Sequence, residues 1–111
     1  MERYILIERE PVAEPDLMTW GRWMQTADRR VGITRVNGHR VSTVFLGLDH
    51  SFSDDDPALL FETMVFKGES SADLECERYS TWAEAEAGHA AMVAKYTVTP
   101  PLTPKNKEAE A

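Results

Sequence analysis

The stretch that decides the fold is Ile33-Thr34-Arg35-Val36-Asn37-Gly38-His39-Arg40-Val41-Ser42-Thr43-Val44-Phe45-Leu46-Gly47-Leu48. Two runs rich in β-branched residues flank Asn37-Gly38. Asn and Gly both tolerate the positive φ that a two-residue type I′ turn demands, so the pair predicts a hairpin. A two-residue turn also fixes register: Val36 faces His39, and Arg35 stands opposite Arg40. Downstream, Leu59-Leu60-Phe61-Glu62-Thr63-Met64-Val65-Phe66 reads as the third strand of a meander. Leu74 to Ser80 alternates Leu74 and Cys76 with Glu75 and Glu77, the period of two expected of a strand with one wet face. Upstream, Tyr4-Ile5-Leu6-Ile7 is an Ile-rich run bounded by charges, too short for a helix, and reads as another strand.

Two helices complete the pattern. Pro11 and Pro15 break the chain after the first strand, and Pro15 and Asp16 suit a helix's first turn. Leu17, Trp20, Gly21, Met24 and Ala27 follow at spacings of three and four, one face of an amphipathic helix with Trp23 at its edge. Thr81 to Glu84 fits a capping box, in which the hydroxyl and the carboxylate each satisfy an orphan amide. Trp82, Ala85, His89, Met92, Val93 and Tyr96 form the apolar face of the helix behind it. Glu84 and Glu86 near its start and Lys95 near its end match the helix dipole. The expected fold is α+β: a two-layer sandwich, with an antiparallel sheet of four to five strands and two amphipathic helices packed on one face. Trp20, Met24, Phe45, Phe61, Val65, Trp82, Met92 and Val93 are its expected shared core.

Composition bounds what such a domain can be. With 111 residues and 42% hydrophobic content, the chain has material for one packed core. That domain is expected to span residues 1–96. Pro100-Pro101, Pro104 and the polar run Lys105 to Ala111 give 97–111 the character of a Pro-rich, polar, disordered C-terminal tail. Net charge is −7, from 12 Lys+Arg against 19 Asp+Glu, which argues against general nucleic-acid binding. One cysteine allows neither an internal disulfide nor a Cys-based zinc site. No apolar run approaches the roughly 20 residues of a membrane span. Met1-Glu2-Arg3-Tyr4 does not read as a secretory signal. A free thiol then points to the cytoplasm.

Few residues invite chemistry. Eight of the basic residues are Arg, and four of them lie between Arg29 and Arg40. Opposed on a hairpin, Arg35 and Arg40 need water, a carboxylate such as Glu62 or Glu77, or an exogenous anion between them. Asp49 and His50 are adjacent and project to opposite sides of an extended chain, which makes a poor chelating pair. Asp49 suits an Asx-type hydrogen bond at the strand end. Asp54-Asp55-Asp56 lacks the alternation and Gly of a calcium loop and reads as a solvated loop tip. His89 reads as a core histidine with one nitrogen satisfied. Glu62 either faces water or bridges to Arg78 or Arg40. Cys76 reads as a packed small hydrophobe. Motifs for nucleophilic serine, P-loop, dinucleotide or zinc-protease chemistry are absent from the sequence, and neither cofactor nor metal is expected.

Several long strings carry a resemblance: Trp20-Gly21-Arg22-Trp23 through Ala27-Asp28-Arg29-Arg30-Val31, Val41 to His50, Leu60 to Phe66, and Arg78-Tyr79-Ser80-Thr81-Trp82 through Glu86-Ala87-Gly88-His89. From Arg3 to Tyr96 the chain resembles a family of small uncharacterised proteins encoded by tailed phages and prophages. The resemblance implies phage origin and brings no catalytic residue with it. By analogy with other small accessory phage proteins, it implies a non-enzymatic, anti-defence binding protein of the host cytoplasm. Such a protein would act by stoichiometric binding to a host protein or to a small anionic ligand such as a nucleotide signal. In the nucleotide version Trp20 or Trp23 would stack a base and Arg35 and Arg40 would pair with phosphate. In the protein version an acidic surface would address a basic partner. The alternatives are a small hydrolase or metal-dependent enzyme using Asp49, His50, Glu62 or His89, or a minor virion structural or assembly protein. Apolar strands with exposed edges point further to self-association as a homodimer.

Overall fold

The computed structural model describes residues 2–97. Its elements are β1 (Tyr4–Ile7), β2 (Glu10–Ala13), α1 (Leu17–Thr26), β3 (Arg30–Val36), β4 (His39–Phe45), β5 (Phe61–Lys67), β6 (Asp73–Tyr79) and α2 (Trp82–Thr97). The fold is α+β, with a four-stranded antiparallel sheet in the order β3-β4-β5-β6 and a separate two-stranded sheet, β1-β2. Asn37 and Gly38 take the positive φ that their turn requires. Arg35 pairs with Arg40 and Val36 with His39, the register read from that turn.

The first hairpin departs from expectation, which ended the strand at Ile7 and took Pro11 as a break. Glu8 and Arg9 carry the turn with φ of 51° and 71°, and Ile7 pairs with Glu10 across it. Pro11 is tolerated because β2 is an edge strand that need not donate every amide. Pro15 lies just outside α1, where Asp16 is the N-cap and accepts from the Thr19 N–H at 2.9 Å. β4 stops at Phe45 rather than running on to Leu48. At Gly47 φ is +80°, and a Cβ there would sit 2.7 Å from Met24 Sδ. The missing side chain lets α1 close on the strand end, where the Trp20 indole N–H donates to the Gly47 carbonyl at 3.2 Å.

α2 lies along one face of the four-stranded sheet and touches all four strands. Its capping box forms: Glu84 accepts from the N–H groups of Ser80 and Thr81, and the Thr81 hydroxyl accepts from the Glu84 N–H. α1 reaches the same face at its edge, through Trp23 packed edge-on against Phe45 at 5.7 Å between ring centres. None of its own residues is buried, and Leu17 is exposed.

The expected single core is two clusters. Phe45, Leu60, Phe61 and Ala85 form one, joined by Tyr4, Leu6, Trp23 and Trp82. Val41, Val65 and Met92 form the other, joined by Val93 and Tyr96. Between them lies a polar layer. Thr43 and Thr63 are fully buried, directly opposite each other in register, with their hydroxyls 2.5 Å apart. His89 descends from α2 and bonds Thr43 Oγ1 through Nδ1 at 2.7 Å and Thr34 Oγ1 through Nε2 at 2.9 Å. Both ring nitrogens are thus satisfied, where one was expected. The tail expected over 97–111 lies, from residue 98 on, outside the described residues.

Candidate binding surfaces

The strand registers arrange the sheet face opposite α2 in rows. One row reads Arg35, Arg40, Phe66, Asp73, and the next Ile33, Ser42, Met64, Cys76. A third brings Arg30, Val44, Glu62 and Arg78 side by side. Among the described residues neither helix packs on this face: α2 lies on the other side, and the main contact of α1 is with β1. A solvated sheet face is ordinarily polar. Here Ile33, Val44, Met64 and Phe66 share it with Arg35, Arg40, Ser42, Asp73 and Arg78, and Ile33 and Cys76 are exposed. Glu62 is buried among them and takes the Arg78 guanidinium at 2.9 Å. It also accepts from the Cys76 thiol at 3.3 Å. Although the residue is exposed, desolvation of its sulfur, helped by that carboxylate, pushes the thiol pKa up to about 11, so Cys76 is a poor nucleophile.

Arg35 and Arg40 sit at one end of this face, and the anion beside them is internal. Glu69 pairs with Arg35 at 2.8 Å and lies 3.9 Å from Arg40; it is neither Glu62 nor Glu77. Arg40 also donates to the carbonyls of Gly68 and Ser70 and stacks on the Phe66 ring at 4.5 Å. Trp23 is elsewhere, against Phe45 on the helix-covered face at the far end of β4. The structure therefore does not bring Trp23, Arg35 and Arg40 into one site.

A third surface is the loop between β4 and β5. Asp49 pins both of its ends, its Oδ1 accepting from the N–H of Ser51 at 2.8 Å and of Leu59 at 3.0 Å. Burial works against ionisation of Asp49, but these N–H groups outweigh it and hold its pKa below the usual carboxylate value. His50 N–H donates to the Leu59 carbonyl and tightens the neck. Phe52, at 98% exposure, stands on this loop ahead of Asp54, Asp55 and Asp56. Beside it is an open hollow of about 510 Å³ whose walls include Glu2, Tyr4, Asp49 and Asp56.

The residues considered for catalysis are scattered. Asp49 and His50 close the loop neck, Glu62 serves Arg78, and His89 lies under α2. Among the described residues no group of three or more His, Cys, Asp or Glu could hold a metal ion, and no helix is long and apolar enough to cross a membrane. His89 is held below its ordinary pKa by burial, and a neutral ring offers one donor and one acceptor to its two hydroxyl partners. Sequence reasoning named the loop and passed over its exposed Phe52: a Phe inside a run of Ser and Asp is an available signal, since such a loop has no core to bury it. Comparison with protein-family models, with curated proteins and with solved structures gives no match to this chain.

Proposed function

We propose that this chain is a small non-enzymatic accessory protein of phage or prophage origin that binds a host protein stoichiometrically, with the Asp49-clamped loop as its contact element. The observation that carries the reading is Phe52, 98% exposed on a loop whose ends are both held by one carboxylate. A large aromatic left in water costs solubility and serves as an anchor when a partner supplies a pocket. A preorganised loop loses less entropy on docking than a mobile one. Asp54 to Asp56 beside the anchor, on a chain of net charge −7, favour a partner that is basic around its pocket. The small anionic ligand is the weaker version, because Glu69 already stands against Arg35 and would have to be displaced.

The test uses the purified chain as bait in host extract, with Phe52→Ala and a triple Asp54, Asp55, Asp56→Asn variant beside it. A host protein held at one-to-one stoichiometry by native mass, released by salt, and lost with Phe52→Ala is the expected result. Equal retention by Phe52→Ala would overturn the assignment of the loop.

A further inference from the structure

We propose that His89 and the threonines around it form an acid-sensitive clasp: protonation of the ring unseats α2 from the sheet before the sheet itself opens. The clasp draws on three strands. Thr43 and Thr63 share a row of the sheet with Gly32 and Glu77, and Thr34 lies in the next row with Val41, Val65 and Glu75. His89 reaches both rows, with Nδ1 at 2.7 Å from Thr43 Oγ1 and Nε2 at 2.9 Å from Thr34 Oγ1. Thr43 Oγ1 in turn lies 2.5 Å from Thr63 Oγ1. A Cβ at Gly32 would come within 3.2 Å of Nε2, so the ring sits directly on the β3 backbone. α2 lends no strand to the sheet and follows β6 through Ser80 and Thr81 alone. It can therefore leave without breaking the strand ladder. Further polar ties lie at its last turn, where Glu75 takes Lys95 and the Tyr96 hydroxyl, and Asn37 donates to the Tyr96 carbonyl.

Counting protons shows why the clasp is sensitive to acid. A neutral ring donates through one nitrogen and accepts at the other. With Nε2–H on Thr34, the Thr43 hydroxyl donates to Nδ1 and the Thr63 hydroxyl to Thr43. With Nδ1–H on Thr43, the Thr43 hydroxyl donates to Thr63 and the Thr34 hydroxyl to Nε2. Either tautomer closes the chain. An imidazolium must donate from both nitrogens, so no hydroxyl can donate to the ring, and a net charge rests on neutral dipoles. The surroundings supply no counter-charge at bonding distance. On the face that α2 covers, β3 presents no ionisable side chain, while β4 presents His39 and β5 Lys67, paired with each other at the hairpin end of the strands. β6 presents Glu75, Glu77 and Tyr79. Glu75 is occupied by Lys95 and Tyr96. Glu77 is exposed and lies two strands from Thr43, roughly 10 Å at ordinary strand spacing. On α2 itself Glu86, one turn before the ring, is also exposed. Burial likewise holds the ring toward its neutral form.

Native-state hydrogen exchange of the full chain, read residue by residue by nuclear magnetic resonance between pH 7 and 5, is the test. Amides of α2 from His89 to Val93 should exchange through an opening lower in free energy than global unfolding. The sign of that opening is a weak dependence on urea, where amides of β4 and β5 show a steep one. The open state takes up a proton that the seated state refuses. Protection of the α2 amides, corrected for intrinsic exchange, should therefore fall by up to about tenfold per pH unit as pH drops. His89→Gln keeps a donor and an acceptor and never becomes charged, so its α2 protection should stay flat over the same range. Glu77→Gln should retain the wild-type fall. The urea dependence is read on the wild type, so the proposal is decided even where His89→Gln folds poorly. Wild-type α2 amides that share the rate and urea dependence of β4 and β5 at pH 5, a fall that persists in His89→Gln, or one that Glu77→Gln abolishes would each overturn it.

Discussion

Replacing Thr43 with Val keeps the shape of a fully buried side chain and deletes its hydroxyl. That hydroxyl bonds Thr63 Oγ1 at 2.5 Å and His89 Nδ1 at 2.7 Å. Thr63 loses its hydroxyl partner, about 1 kcal/mol. His89 Nδ1 is left unsatisfied in the interior, which costs about 1–3 kcal/mol. The added methyl returns up to about 0.8 kcal/mol. The net loss is about 1–3 kcal/mol, a drop of roughly 4–24 °C in Tm for a domain of this size. Urea titration followed by circular dichroism should show a lower midpoint at unchanged slope, the mark of altered stability without altered compactness. Combining Thr43→Val with His89→Leu removes both partners, so the double variant should recover about 1 kcal/mol or more relative to the sum of the single changes. A Thr43→Val protein within about 0.5 kcal/mol of wild type, or strict additivity in the cycle, would refute the claim that this polar layer ties α2 to the sheet.

Four further outcomes are expected. Burial lowers the His89 pKa in the folded state, so between the folded and unfolded values the unfolded chain binds more protons. Stability should therefore fall as pH drops below about 6.5, by at most about 1.4 kcal/mol per unit, and His89→Leu should flatten that limb in urea titrations. Gly88→Ala, which ordinarily stabilises a helix by about 1 kcal/mol, should instead destabilise by about 1–2 kcal/mol. Its Cβ would fall 2.2 Å from the Tyr79 hydroxyl oxygen, and a thermal melt gives the sign. Asp49→Ala should free the loop neck at a cost of about 1–2 kcal/mol and open cleavage sites between Ser51 and Pro57 to limited proteolysis, whereas Phe52→Ala should leave the melt within about 0.5 kcal/mol of wild type. Glu69→Gln should change stability by less than about 0.5 kcal/mol, since the pair with Arg35 is exposed, and Arg40→Ala should cost about 1 kcal/mol through its carbonyl bonds and its seat on Phe66.

Elements with local signals were legible. Asn37-Gly38 carries its positive φ in its residue types, and the Thr81 to Glu84 box requires only a four-residue spacing. β2 was hidden because Glu8 and Arg9 adopt left-handed backbone without the Gly, Asn or Asp that announces it. The polar layer was hidden for another reason. Thr is an ordinary strand residue, and only the packed fold shows that Thr43 meets Thr63 and His89, 20 and 46 residues away. Two glycines are its trace in the sequence: a Cβ at Gly32 would come within 3.2 Å of the His89 ring, and one at Gly88 would strike Tyr79. The carboxylate beside Arg35 and Arg40 was foreseen in kind and missed in place. Strand pairing suggested Glu62 or Glu77, while Glu69 swings in from the β5–β6 turn. Of the two partners offered for Glu62, the structure selects Arg78.

The contact loop and the polar layer under α2 are separable by mutation. The Asp49 loop leaves β4 after Phe45, at the opposite end of the strands from Arg35, Arg40 and Glu69. Phe52 is 98% exposed, so Phe52→Ala should abolish binding of the proposed partner while the melt stays where it is. Asp49→Ala should weaken binding by another route, because it frees the neck that the Ser51 and Leu59 N–H groups hold and raises the entropy lost on docking. Thr43→Val, which lowers stability through the polar layer, should leave binding at its wild-type level below the melt. A Phe52→Ala protein that binds as well as wild type, or a Thr43→Val protein that loses binding while still folded, would refute this division of roles.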